Sequence, residues 1–374
     1  MSEMAAEILD HFRASILRST LRIDLFRSWF LNRPSRLLIL FGLASASALV
    51  LSVFFPLWVL LLGPLIYGVP HIFSSIRYFH HSVIRTSPRE VRDDQRFRMF
   101  KVLGGVLVAV FAYRLLITVD YFQLNLPSMS EWAGSTYIEL GALGFTVAMA
   151  AWIYGIAWRQ IVQGLLFAIP LVLGFVFYPA WTIGALVLIH NFVAFVYWMI
   201  ASEKDERKVA TFAFAVTLAV TALIFAGAFD SWGKPSLILD LASLSIVDTG
   251  KLIAPWSSNE TLFLHACIAF AFGQSLHYFV WLKAIPDQHH YQKIPTTFRH
   301  SLTLLRGDFG YTMASALIAL SVGSVVFWSF MSFQKARLIY FCLASYHGYL
   351  ELAGLVLIGG SLGMRRRVTS QLQG

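Results

Sequence analysis

Runs of about 20 apolar residues, broken by short links carrying basic residues or proline, recur from residue 36 almost to the C-terminus. A hydrocarbon core about 30 Å thick needs roughly 20 such residues for one helix to cross it. Ten runs meet that length: 36–55, 57–82, 100–119, 137–157, 160–178, 180–201, 209–229, 261–283, 310–331 and 338–360. Pro56 and Pro179 divide neighbouring runs. Proline suits the first turn of a helix, where the missing N–H would have no partner anyway. The links from the fourth run to the sixth are so short that merging a pair would give eight spans instead of ten. The pattern predicts an all-α, polytopic membrane protein. Its single helical membrane domain covers 36–364, between a basic cytoplasmic segment at 1–35 and a short tail at 365–374.

Composition agrees with the pattern. Of 374 residues, 57% are hydrophobic and 13% charged, against about 25% charged in an ordinary soluble domain. A cytosolic enzyme, a nucleic-acid binder and a secreted disulfide module are all excluded by that balance. The two cysteines, Cys267 and Cys342, sit in apolar stretches and read as packing thiols.

The net charge of +9 changes the picture only through its placement. Arg13, Arg18, Arg22, Arg27, Arg33 and Arg36 precede or open the first run, and Arg77 to Lys101 surround the link after the second. Lys204, Arg207 and Lys208 follow the sixth run, Lys283, Lys293, Arg299 and Arg306 the eighth, and Arg365, Arg366 and Arg367 the last. The intervening loops 120–136 and 230–260 hold only Lys234 and Lys251 as cations. Cytoplasmic loops are the Lys/Arg-rich ones. Ten spans with both termini cytoplasmic follow, in a bacterial-type inner membrane, with Lys335 and Arg337 the one local exception. The first 35 residues lack the continuous apolar core and cleavage site of a signal peptide. Ile8, Leu9, Phe12, Ile16 and Leu17 recur there at helical spacing, as in an amphipathic helix on the inner leaflet or a topology-setting basic tail.

Candidate chemistry lies in the histidines. Ionisable side chains inside a membrane are costly and mark function. Four of eleven histidines fall well inside runs: His71, His190, His277 and His347, in runs two, six, eight and ten. Those runs all cross from outside to inside, and the four histidines lie roughly 9–20 Å from the cytoplasmic ends at about 1.5 Å per residue. Neutral imidazoles at one level can ligate a transition metal through one nitrogen and donate through the other. A nitrogen-rich site suits iron, copper or zinc. Fe(II) is the expected cofactor, with another transition metal or haem as alternatives.

Glu351 stands one turn beyond His347 on the same face and either orients an imidazole or ligates the metal itself. Glu351 and Tyr346 are the candidate catalytic groups, with Gln274, Asn191 and Tyr278 as local polar neighbours. His265 is expected near the outer end of run eight, where water can reach it. His80, His81, His289, His290 and His300 form a cytoplasmic-edge group. They lack the HxxxH and HxxHH spacings of desaturase-like metal sites and read as interfacial residues.

The stretch Gly68-Val69-Pro70-His71, opening a histidine series spread over several spans, resembles the Brp/Blh family of bacterial β-carotene cleavage oxygenases. That resemblance implies a multi-span fold, iron held by membrane-embedded histidines and cleavage of β-carotene into two retinals. The family reads Gly-x-Pro-His-Gly with an acid shortly after. Here Ile72 follows the histidine, Ser74 and Ser75 take the acidic place, and Ala194 stands where a companion of His190 would be. Only His71 carries over.

The expected function is a metal-dependent oxidoreductase acting on an apolar, lipid-soluble substrate with dioxygen. Membrane lipids are its surroundings and nucleic acid is no partner. The alternative of a different class is a transporter or channel that uses the histidines for protons or ions. Gly63-Pro64 and Gly68-Val69-Pro70 do interrupt the second run, as broken transporter helices would.

Overall fold

The structure is a computed structural model that describes residues 24–80, 176–233 and 244–286 continuously. It adds 235, 237–239 and single positions within 7–22, 105–174 and 303–351. The described residues are mostly helical. Five helices are long and apolar enough to cross a membrane: Arg33–Phe54, Pro56–Tyr78, Gly184–Ala201, Lys204–Phe225 and Glu260–Ala284. They correspond to the first, second, sixth, seventh and eighth apolar runs. The other five runs fall wholly or largely outside the described residues.

Helix α1 covers Asp24–Leu31 within the basic N-terminal segment, and α2 covers Arg33–Phe54. Phe55 leaves helical geometry and Pro56 starts α3, Pro56–Gly63, at its first position. The second apolar run then widens into a π turn at Pro64–Gly68 before α4, Val69–His80. Pro64 and Pro70 each withhold an N–H from the helical ladder, so a local change of hydrogen-bond register between them is the expected relief. Helix α5 is Pro179–Ala201, α6 is Lys204–Phe225, and α7 is the short Ile246–Ile253. Ile238–Leu239 (β1) and Leu244–Ser245 (β2) are two-residue strands. Helix α8, Glu260–Phe279, ends in a second π turn at Val280–Ala284, where the Ile285 N–H donates to the Val280 carbonyl.

The chain divides into two compact units. The first comprises 1–74, 194–239 and 265–330. In it α2 packs along α6, whose buried face presents Ala210 and Ala213. Arg33 Nε lies 2.9 Å from Glu206 Oε1, so the two helices start at one end. Aromatic rings fill the core: Phe41 meets Phe195 edge-on at 6.4 Å and Phe279 at 6.3 Å, and Trp198 packs on both Phe195 and Phe279. Arg207 donates to the carbonyls of Met199 and Ser202, satisfying acceptors that the end of α5 leaves without helical partners. After α6 the chain turns at Gly227, whose φ of +76° suits glycine.

The second unit comprises 75–193, 240–264 and 331–374. Here α7 starts at Ser245, whose hydroxyl accepts the Asp248 N–H. Its buried face of Ile246, Thr249, Gly250 and Ile253 follows the helical period. Gly250 lies directly against Phe263, and Gly184 of α5 against the Ile253 carbonyl. The 230–260 connection is thus partly helical rather than a bare loop.

Candidate metal centre

His347 and Glu351 stand one helical turn apart, and neither has exposed surface. That spacing puts both on one helix face, with His347 Nε2 2.8 Å from Glu351 Oε1. The other carboxylate oxygen, Oε2, is 3.3 Å from Nδ1 of His190 on α5. The rings of His190 and His347 meet edge to face, 5.4 Å between centroids. The second ring nitrogen of His347, Nδ1, lies 2.9 Å from the hydroxyl of Ser75 on α4. Gly348 faces His190: a Cβ there would stand 3.6 Å from His190 Nδ1. One carboxylate therefore joins two imidazoles, and a hydroxyl holds one of those imidazoles from behind. A buried carboxylate is tolerated only with such partners.

His277, near the end of α8, packs against His71 of α4 with rings 5.3 Å apart and nearly perpendicular. Tyr278 lies 4.7 Å from the His71 ring and 6.0 Å from Tyr67. His71 Nδ1–H donates to the Tyr67 carbonyl at 3.0 Å, which leaves the ring's lone pair on Nε2. Both histidines border a π turn, His71 after Pro64–Gly68 and His277 before Val280–Ala284. Such turns recur at functional sites because they re-aim side chains. Ser74, beside Ser75, donates to the Trp281 carbonyl within the second of them.

Among the described residues of the second unit, ligand-type atoms of His190, His347 and Glu351 lie within 4.8 Å of one another, and this group could hold a metal ion. His347 and Glu351 are buried and His190 is partly exposed. Two imidazole nitrogens and one carboxylate oxygen form a donor set of borderline hardness, open to iron, zinc, copper or manganese.

Of the four histidines picked from the sequence, His190 and His347 belong to the group, while His71 and His277 pack on each other in the first unit. Glu351, which the sequence left between orienting and ligating roles, is its third member. Tyr346, Cys342, His81, His289, His290 and His300 lie outside the described residues, as does the side chain of His80. Asn191 and Gln274 are buried on α5 and α8. His265 is buried too, with Nε2 2.8 Å from Asp230 Oδ1, so a carboxylate rather than open water satisfies it. Ser75, in contact with His347 Nδ1, is the residue of this cluster that sequence reasoning passed over. Its signal was a hydroxyl one turn beyond His71 in an apolar run, but nothing in the sequence tied it to a histidine 272 positions away.

Comparison with known protein families, curated proteins and solved structures finds no match for this chain.

Proposed function

We propose that this protein is a membrane-embedded, metal-dependent oxidoreductase in which His190, His347 and Glu351 hold Fe(II). Its substrate is an apolar, lipid-delivered molecule, and its co-substrate is dioxygen. The observation that supports this reading is the gathering of two imidazoles and one carboxylate in a chain of strongly apolar helices. Histidine and carboxylate donors with positions left open are the usual set of non-haem iron oxygenases. Ferrous iron bound there would supply the one-electron chemistry that dioxygen requires.

The remaining work belongs to the chain. Glu351 brings a negative charge that offsets part of the metal's charge in a poorly solvated place. Ser75 fixes the ring plane of His347 from the far side, as neighbours of metal-ligating histidines commonly do. The sequence topology of ten spans with cytoplasmic termini belongs to the same proposal. So does cleavage of an alkene such as a carotenoid, which the Gly68-Val69-Pro70-His71 resemblance makes the first substrate class to try.

The test is oxygen uptake by the full chain in lipid nanodiscs, loaded with ferrous iron and given a carotenoid. The reading expects uptake that depends on the substrate and disappears in His347→Ala. Iron-loaded protein that takes up no oxygen with any apolar alkene, yet moves protons or ions across vesicles, would replace it with the transporter reading.

A further inference from the structure

The segment ahead of α2 carries large apolar side chains on its surface. Its described positions from 7 to 19 are all helical. Ile8 and Phe12, one turn apart, are 63% and 67% exposed. In α1 the sequence puts the apolar positions 25, 26, 29 and 30 on one arc, and Asp24, Arg27, Ser28 and Leu31 on the other. Trp29, on the apolar arc, is 47% exposed. Asn32 then leaves helical geometry, so α1 is no simple continuation of the long apolar α2. Exposed apolar surface of this size marks a contact with a membrane or a partner.

Charge decides between the two. From residue 13 to residue 36 there are six arginines and one acid, Asp24. Arg33 is paired with Glu206. Arg18, Arg22 and Arg27 are exposed. Arg18 donates to the Ala14 carbonyl of its own helix, and among the described residues none of the three meets a carboxylate. We propose that this segment is a dock for anionic phospholipids, with Arg18, Arg22 and Arg27 on the lipid phosphates and Ile8, Phe12 and Trp29 at the acyl boundary. Basic residues beside exposed aromatic and aliphatic ones are the composition that holds a helix in that layer. The proposal rests on the membrane reading of the chain and is independent of the metal. Because α2 tethers the segment, docking is a local equilibrium between bound and free. Each arginine near an anionic surface shifts it about fivefold, and three shift it about 100-fold. Salt screens that part of the attraction and leaves the apolar part.

The test uses the full chain in lipid nanodiscs, with Cys267 and Cys342 replaced by alanine and a nitroxide on Ser15→Cys, near Phe12 in the sequence. Protection of the nitroxide from a water-soluble relaxing agent reports the docked fraction. The proposal expects strong protection in discs containing phosphatidylglycerol, and weak protection in phosphatidylcholine alone or in high salt. Replacing Arg18, Arg22 and Arg27 together by Gln should lower the docked-to-free ratio about 100-fold in the phosphatidylglycerol discs. Phe12→Ala with Trp29→Ala should lower it in both lipids. A nitroxide equally protected in both lipids and untouched by the triple substitution would overturn the proposal and assign the segment to packing on protein. One that stays free in both lipids would overturn it too, leaving a basic tail. Either result leaves the metal site standing. A chain that does not enter nanodiscs at all would bring down the membrane reading and this proposal together.

Discussion

Replacing Glu351 by Gln changes one charge and one donor atom while keeping the shape of the side chain. Its two oxygens lie 2.8 Å from His347 Nε2 and 3.3 Å from His190 Nδ1, and an amide can still bridge the two rings. Folding should therefore change little. Two charge-assisted contacts become neutral ones, a difference of about 1–2 kcal/mol in all. Metal binding should change far more. A carboxylate that only oriented an imidazole would cost about 10–100-fold in affinity when altered, or about 1.4–2.7 kcal/mol. Glu351 is the only acid among the described members of the group, and its oxygens sit as close to the other donors as a shared ligand requires. The loss should therefore exceed about 100-fold. Cobalt(II) titration of the purified chain against a competing chelator measures it, with circular dichroism to confirm retained helix. A variant that binds cobalt within tenfold of the unaltered chain would refute the reasoning and make Glu351 a packing residue.

Gly250→Ala should lower the melting temperature, because its Cβ would run into the Phe263 Cβ and stand 2.7 Å from the Phe263 Cα. Overpacking of this kind costs about 1–3 kcal/mol, and an unchanged melting temperature would deny the contact. His265→Ala should leave bound metal unchanged, since its partner is Asp230 and it is no member of the group of His190, His347 and Glu351. Loss of metal in that variant would enlarge the site. Accessibility tags at positions 130 and 245 should be reached from the periplasm and one at 205 from the cytoplasm; a cytoplasmic tag at 130 would break the ten-span topology.

The long elements were legible because hydropathy and proline punctuation act locally. Pro56 divides α2 from α3, as its place between two apolar runs suggested. The π turns were not legible, since the same residues fit an unbroken helix until the backbone register is seen. The site was legible in part for a similar reason. Burying an imidazole or a carboxylate in an apolar run is costly wherever it occurs, so His190, His277, His347 and Glu351 could each be marked singly. Glu351 could also be tied to His347 by helical spacing. Its contact with His190, and that of Ser75 with His347, join residues far apart in the chain. Only packing creates such pairs. For the same reason His71, equally marked by its apolar surroundings, could not be told from His190 and His347, which lie against one carboxylate. The partner of His265 was misread as water because Asp230 lies 35 residues earlier, beyond the turn at Gly227.

The central claim is that this chain keeps a metal. Metal content of the full chain, purified in detergent without added metal and measured by inductively coupled plasma mass spectrometry, tests it most directly. The account predicts close to one iron per chain in the unaltered protein, and a small fraction of that in His190→Ala and His347→Ala, each still helical. Stoichiometric metal that survives both substitutions would contradict it, as would an unaltered chain that holds none and cannot be loaded.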